Sequence, residues 1–245
     1  MRRALIAIII CITLFAVMFF IPTLLIYRTE MNIMEASNMV AEENFEGAKE
    51  QIDVLKEGWM IDYDRTNLML LELLVDYSLS AREGEMDEDL LEGIDVLKNR
   101  DLMEEQKSTL NLIELSVKSV LRPEEAVLLA REIGSNSTAD EIVNTAMIIE
   151  LFCMVSLESL SEKDIVRVET LLQDEELEEW LSLEMNPMVE ELIKLRKYWP
   201  IIKVTKGYFN VRDLPQILNS LVRLVIDRLM GVVNEGLRSV PLNSG

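Results

Sequence analysis

The segment Leu68–Leu79 reads LMLLELLVDYSL, and two related sequences follow it along the chain. Leu110–Leu121, LNLIELSVKSVL, begins 42 residues later and matches it at six of twelve positions. Ala146–Leu157, AMIIELFCMVSL, begins a further 36 residues on and keeps two aliphatic residues followed by Glu-Leu near its centre. The pentapeptide IDVLK also occurs twice, at Ile52–Lys56 and Ile94–Lys98, again 42 residues apart. Self-similarity at such a period predicts stacked helical hairpins.

The composition favours a helical, globular protein. Of the 245 residues, 49% are hydrophobic and 28% are charged, with only six prolines and nine glycines. The formal charge of −20 is concentrated in residues 28–187, where 13 Lys and Arg face 39 Asp and Glu, whereas residues 188–245 have nine against five. Because an acidic body repels phosphates, no nucleic-acid partner is expected.

An uncharged, mostly apolar segment lies near the N-terminus. Ala4–Tyr27 contains 24 residues without a charge and follows Met1-Arg2-Arg3. As a helix of about 36 Å it is long enough to cross a hydrocarbon core of about 30 Å, and no small-residue cleavage site follows it. We interpret residues 1–28 as a transmembrane signal anchor, with a cleaved signal peptide as the alternative. The basic charges before the segment predict a single-pass protein with a cytoplasmic N-terminus and an extracytoplasmic body.

The segment after residue 44 carries one apolar helical stripe, formed by Phe45, Ala48, Ile52, Leu55 and Trp59. Together with the small residue Ala36 and the Asn-Phe turn at 44–45, these residues resemble the junction between helices of a tetratricopeptide-type repeat. The resemblance implies antiparallel helix pairs of about 34 residues that stack into an α-solenoid with a peptide-binding groove. It assigns no ligand-contacting residues to this chain.

We therefore predict an all-α protein in three parts. These are the anchor (1–28), an acidic helical-repeat domain (29–187) and a basic, aromatic-rich helical cap (188–245). Pro123 and Ser161 are predicted to begin two of the helices. Near 200–211, β-branched and aromatic residues surround a Lys-Gly turn, which predicts either a small β-hairpin or an extended loop.

The chain contains no recognisable catalytic motif. The absence of histidine excludes imidazole as a base or a metal ligand. Cys11 lies in the apolar segment and Cys153 in the third repeated segment, so a structural disulfide between them is not expected. A faint calcium-loop pattern at 62–67 lacks the required Gly and final Glu. We predict no catalytic, cofactor-binding or metal-binding residue, and a chain that is not an enzyme.

Basic and aromatic residues are interleaved in the segment 194–212. This pattern suits a membrane surface or an acidic partner, and the alternative is that the segment packs on the acidic body of the same chain. The candidate contact residues are Lys194, Arg196, Lys197, Trp199, Lys203, Lys206, Tyr208, Phe209 and Arg212.

Three functions are compatible with these features. The first is a membrane-anchored helical-repeat scaffold that binds other membrane or envelope proteins, with the bilayer contacted through residues 4–27. The second is a structural subunit that self-associates into a homo-oligomer or filament. The third is a carboxylate-dependent hydrolase, which would require a deep polar pocket.

Overall fold

The computed structural model describes residues 2–58, 60–157, 160–184, 186–205, 218, 220–226 and 228, with side chains from residue 20 onward except at 21, 22, 183–187 and 205. All regular structure in these ranges is helical, which confirms the predicted all-α class. The helices whose bounds are described are α1 (Arg2–Ala41), α2 (Phe45–Lys56), α3 (Asp62–Glu83), α4 (Asp89–Lys98), α5 (Glu104–Leu121), α6 (Pro123–Asn136), α7 (Asp140–Ser156), α8 (Glu162–Leu172), α9 (Glu175–Glu184) and α10 (Asn186–Thr205).

Local sequence chemistry explains several helix ends. Gly84 has a φ of 77°, a left-handed conformation that glycine adopts without steric cost, and it follows the last residue of α3. Pro123 is the first residue of α6, as predicted. Ser161 and Asp164 form a reciprocal capping box at the start of α8, with backbone to side-chain distances of 3.2 Å in both directions.

The chain divides into two compact units, Met1–Val75 and Asp76–Gly245, and the boundary falls within α3. In the first unit α1 packs on α2. Between these helices Glu43 has a φ of 62°, and the side chain of Asn44 accepts a hydrogen bond of 3.2 Å from the backbone nitrogen of Gly47. A Cβ at position 47 would lie 2.6 Å from the Asn44 side chain, so a larger residue there would displace the capping side chain. The buried apolar residues along the α1 and α2 contact are Ala36, Val40, Phe45, Ala48 and Ile52.

Within the ranges that the structure describes, no helix has both the length and the apolar character that a membrane crossing requires. The predicted span 4–27 falls mostly on residues whose side chains lie outside the described set. The anchor, and the domain boundaries at residues 28 and 187, stay predictions.

The second unit is organised around α5 and α7, which contact each other. Helices α4 and α6 pack on α5, and helices α6 and α8 pack on α7, so each inner helix has an outer helix on either side of it in the chain. Helix α10 then packs on α8 and α9. These contacts join helices that are near neighbours in chain order, as in repeat proteins.

The buried positions of the second unit recur at the offset of 36 residues seen in the sequence. The outer helix α4 buries Leu90, Leu91, Ile94 and Leu97, and α6 buries the equivalent Ala126, Val127, Ala130 and Ile133. The inner helix α5 buries Leu110, Leu112, Ile113 and Leu115, and α7 buries the equivalent Ala146, Ile148, Ile149 and Leu151. The outer helices thus bury one stripe each, whereas the inner helices are buried on most sides.

The prediction of a hairpin or loop near 200–211 is wrong at residues 200–205, because α10 continues to Thr205. Trp199 and Ile202 extend the buried stripe formed by Met188, Leu192 and Leu195. Burial of this stripe outweighs the local β preference of the sequence, and Pro200 lies on the exposed side of the helix. Residues 206–211 lie outside the described set.

Described residues near the C-terminus are also helical and deeply buried. Leu218, Leu221, Val222, Val225 and Ile226 have no exposed surface. The Arg228 guanidinium lies 3.0 Å from Oε1 of Glu141 at the start of α7. Burial raises the pKa of Tyr77, while its hydrogen bond to Ser116 and the charge of Arg223 partly offset that increase. This C-terminal segment therefore packs on the second unit beside both α3 and α7.

Candidate interaction surfaces

The structure places five of the candidate contact residues on α10, namely Lys194, Arg196, Lys197, Trp199 and Lys203. The other four, Lys206, Tyr208, Phe209 and Arg212, lie outside the described residues. The five do not form one surface, because α10 is amphipathic and they are divided between its two sides.

The inner side of α10 attaches the helix to its own acidic body. Trp199 is buried with the apolar stripe. Arg196 Nε donates a hydrogen bond of 2.6 Å to the carbonyl oxygen of Leu172, and its guanidinium pairs with Glu178. Lys203 Nζ lies 2.6 Å from Oε1 of Glu169 and holds the pKa of that carboxyl below its ordinary value. Arg196, Trp199 and Lys203 therefore have structural partners within the chain.

The outer side of α10 combines exposed aliphatic residues with lysines. Lys194 is exposed and lies 2.5 Å from Glu191 on the preceding turn of the same helix. Lys197 Nζ lies 5.6 Å from the centre of the Tyr198 ring, a cation–π distance. We call this surface the basic face, and it consists of Ile193, Lys194, Lys197, Tyr198, Ile201 and Val204, with the exposed Glu190 on the same side of the helix.

A second exposed surface lies on the outer helices α4, α6 and α8. Each places one aliphatic side chain opposite its buried stripe: Val96 is 52% exposed, Leu128 66% and Val166 62%. Single exposed aliphatic residues are ordinary, and these three are not at equivalent repeat positions, because the offset of 36 residues aligns Val96 with Glu132 and Leu128 with Glu92. In the first unit, α2 likewise exposes Val54, the valine of the first IDVLK.

Exposed carboxylates lie within about one helical turn of each of these aliphatic side chains, and the exposed Lys163 lies at the same distance from Val166. We call this second surface the acidic face, and it consists of Val96, Leu128 and Val166 with the exposed residues Glu92, Asp95, Glu124, Glu132 and Glu162. Sequence reasoning did not identify this face. The sequence did contain one signal for an exposed aliphatic residue, because the valine of IDVLK falls outside the apolar stripe formed by the isoleucine and leucine of the same pentapeptide.

Two inner-helix carboxylates are buried and neutralised by basic side chains. Glu114 on α5 lies between Lys98 and Lys118, at 2.5 and 3.0 Å. Glu150 on α7 accepts hydrogen bonds from Arg131 Nε at 2.6 Å and from Arg167 Nη2 at 2.8 Å. Sequence comparison identified both glutamates as repeated residues but not their partners. Because each carboxylate is enclosed by cations, this arrangement stabilises charge within the helix layer rather than exposing an acid or base.

A groove of about 590 Å³ lies between α4, α5, α6 and the start of α7. Its lining includes Lys98, which pairs with Glu114, and Lys107, which pairs with Glu104 at 2.7 Å. Among the described residues, no group of three or more His, Cys, Asp or Glu side chains is placed to hold a metal ion. Both lysines that line the groove are therefore already paired with carboxylates of the same chain.

Comparison of the chain with protein-family models, curated proteins and solved structures finds no match.

Proposed function

We propose that the chain is a non-catalytic helical-repeat scaffold, anchored in a membrane by one span, that binds other proteins of the cell envelope. The acidic face is the observation that carries this proposal, since three successive outer helices each expose one large aliphatic side chain with carboxylates within about one turn of it. Protein–protein contacts commonly centre on apolar side chains with polar residues around them. A suitable partner segment would present basic and aliphatic side chains together.

The repeat architecture belongs to the same proposal. An outer helix with one buried stripe, followed by an inner helix buried on most sides, occurs as α4 with α5 and again as α6 with α7. This alternation supports an α-solenoid of antiparallel hairpins similar to the tetratricopeptide arrangement. Such a solenoid presents a regular row of outer-helix surfaces to a partner.

The membrane anchor rests on the uncharged sequence of Ala4–Tyr27 and on α1. This helix is continuous from Arg2 to Ala41, so the uncharged segment lies within a single rod. Its described part exposes the large apolar side chains Phe20, Leu24 and Tyr27, which a bilayer or its interface would cover. We propose that Arg2 and Arg3 keep the N-terminus cytoplasmic and that residues after the span are extracytoplasmic.

The anchor and its orientation can be tested with one introduced thiol. Thr138→Cys is placed at an exposed position in a Cys11→Ser background, leaving only the buried Cys153 as native thiol. We expect the chain to resist alkaline extraction from membranes, and we expect the introduced thiol to react with a membrane-impermeant maleimide in intact cells. Labelling only after the cells are opened would contradict the orientation, and complete alkaline extraction would contradict the anchor.

The scaffold function can be tested by photo-crosslinking in the native host. A photoreactive amino acid replaces Val96, Leu128 or Val166, and the exposed positions 179 and 182 on α9 serve as controls. We expect crosslinks to other envelope proteins at the acidic face and few at the controls. Equal crosslinking at every position, or no adducts with other proteins, would contradict a scaffold that binds through this face.

A further inference from the structure

One short motif of the chain is not explained by the scaffold function. Asn136-Ser137-Thr138 is the only place in the sequence where Asn is followed two residues later by Ser or Thr. With no Pro between them, these residues form the acceptor pattern for an N-linked sugar, which is attached in surface loops of extracytoplasmic proteins. Because the pattern is short, it indicates a modification site only where the fold exposes it.

The fold exposes this motif between two helices of the second unit. Asn136 is the last residue of α6, and residues 137–139 connect it to α7. The side chains of Asn136 and Thr138 are both exposed. The backbone is extended at Ser137 and at Ala139, with φ and ψ of −81° and 143° and of −90° and 114°. The amide of Asn136 and the hydroxyl of Thr138 therefore lie on a short surface loop that a modifying enzyme can reach.

The middle residue of the motif, Ser137, is held by contacts within its own loop. Its backbone nitrogen donates a hydrogen bond of 2.9 Å to the carbonyl oxygen of Ile133, which closes the end of α6. Its hydroxyl oxygen accepts a hydrogen bond of 3.2 Å from the backbone nitrogen of Ala139. These contacts order the loop, and they leave the two residues that the acceptor pattern requires exposed to solvent.

The surface beside the loop has room for a sugar. The groove of about 590 Å³ is lined by all three residues of the motif and by Glu105, Ser108 and Asn111 of α5. Carboxylate, hydroxyl and amide groups can form hydrogen bonds with sugar hydroxyls. A sugar linked to Asn136 would therefore find both space and polar partners beside the loop.

We propose that Asn136 carries an N-linked glycan in the native host. The proposal rests on one part of the proposed function, namely that the body of the chain lies outside the membrane, where such glycans are attached. The glycan would add a large, hydrated group to the loop between α6 and α7.

The modification is a group transfer that needs no oxidant or reductant. Its donor is a sugar linked through C1 to the phosphate or pyrophosphate of a lipid. The bond between the Asn136 amide nitrogen and C1 forms as the bond between C1 and the phosphate oxygen breaks. The lipid phosphate leaves with the bonding electron pair, and the amide nitrogen loses one proton to a base of the transferase.

Mass spectrometry of the full chain, purified from membranes of its native host, tests the proposal. Trypsin cleaves after Arg131 and Lys163 and releases the segment 132–163. In the wild type we expect this peptide to carry a mass increment of one or more sugar residues. Fragment ions should place the increment on Asn136.

Substitutions in the motif distinguish an N-linked glycan from another modification of the same peptide. Asn136→Gln removes the acceptor side chain and Thr138→Ala removes the hydroxyl, so each should abolish the increment, whereas Thr138→Ser should retain it. Asn144→Gln is the matched control, because Asn144 lies in the same peptide but is followed by Thr145-Ala146 and does not fit the pattern. Circular dichroism of each variant checks that the helices are retained.

The results separate this proposal from the proposed membrane orientation. If a maleimide labels Thr138→Cys in intact cells but the wild-type peptide is unmodified, the glycan proposal is overturned and the orientation stands. If the maleimide labels only opened cells and the peptide is unmodified, both fail. An increment that persists in Asn136→Gln, or that is lost in Asn144→Gln, would also overturn the glycan proposal. Crosslinking at the acidic face tests the scaffold function independently of these results.

Discussion

The ammonium nitrogen of Lys98 lies 2.5 Å from Oε2 of Glu114, as an ion pair whose geometry is not that of a hydrogen bond. The two residues are 16 positions apart, and Lys56 pairs with Glu72 at the same separation. Lys56 and Lys98 end the two copies of IDVLK, and Glu72 and Glu114 occupy equivalent places in the repeated twelve-residue segment. The sequence similarity at 42 residues therefore extends to a repeated ion pair, which joins α2 to α3 and α4 to α5.

The two equivalent pairs should differ in their contribution to stability. The Glu114 side chain is 4% exposed, whereas that of Glu72 is 28% exposed. Lys98→Met leaves Glu114 with only Lys118, so we expect it to destabilise the second unit by about 2 kcal/mol. Lys56→Met leaves a partly hydrated carboxylate and should cost about 0–1 kcal/mol. Amide hydrogen exchange at increasing urea measures the loss of stability at α5 for Lys98→Met and at α3 for Lys56→Met. Equal losses would contradict the expected difference between the two pairs.

The sequence alone was sufficient to predict the helical class and the starts of α6 and α8. Periodic apolar positions such as Leu90, Ile94 and Leu97 reflect burial of one stripe, which is a local property of the chain. Capping at Ser161 is equally local and was predicted correctly. These features need no knowledge of which helices become neighbours.

The errors and omissions depend on tertiary contacts. Residues 200–205 have the local composition of a strand, but the burial of Ile202 beside Trp199 keeps them in α10. The predicted contact set was divided because Arg196 and Lys203 pair with Glu178 and Glu169 on neighbouring helices. The acidic face was missed because its exposed aliphatic residues Val96, Leu128 and Val166 lie on three different helices.

Removal of the arginines around Glu150 should cost far more than removal of Glu150 itself. The carboxylate is 1% exposed, whereas the side chains of Arg131 and Arg167 are each 39% exposed and can be hydrated. Arg131→Met with Arg167→Met therefore leaves a buried unpaired charge and should lower the free energy of unfolding by about 3–5 kcal/mol. Glu150→Met should cost about 1 kcal/mol or less. Urea unfolding followed by circular dichroism gives both values.

The triple variant provides the control for this prediction. When Glu150→Met is added to the two arginine substitutions, the buried charge is gone and most of the lost stability should return. A triple variant as unstable as the double arginine variant would mean that lost packing, rather than the unpaired carboxylate, causes the destabilisation.

Cys153 should be unreactive while the protein is folded. Burial, followed by the nearby charge of Glu150, raises the pKa of this thiol from 9.0 to about 12. Near pH 8 only about one thiol in ten thousand is then ionised, and thiolate is the reactive form. In a Cys11→Ser background we expect slow reaction with a disulfide reagent in buffer and rapid reaction in urea. An added exposed thiol at position 138 is the positive control, and a Cys153 that matches its rate would contradict the prediction.

The contribution of Asp164 should depend on pH. Its hydrogen bond from Ser161, and then its contacts with Arg131, hold its pKa below the ordinary value of 3.8. A lowered pKa in the folded state means that the ionised group stabilises the fold above the unfolded pKa, and that this stabilisation is lost as pH falls through the folded pKa. Asp164→Asn should therefore cost about 0.5–1 kcal/mol at pH 7 and progressively less below pH 3.8. If the difference in unfolding free energy between the wild type and Asp164→Asn did not change with pH, the charge of Asp164 would not be the cause of that difference.

The C-terminal segment should be part of the core of the second unit rather than a removable occupant of a binding groove. Leu221 has no exposed surface, and Arg228 of the same segment contacts Glu141 on α7. Leu221→Ala should lower the free energy of unfolding by about 2–5 kcal/mol, whereas Val204→Ala, at an exposed position of α10, should change it by less than about 0.5 kcal/mol. Hydrogen exchange of α7 in urea would detect the loss. If Leu221→Ala left the hydrogen exchange of α7 unaffected, the C-terminal segment would be only loosely attached, and the surface beneath it would be open to partners. If α7 is destabilised as expected, partners must bind at outward surfaces such as the acidic face.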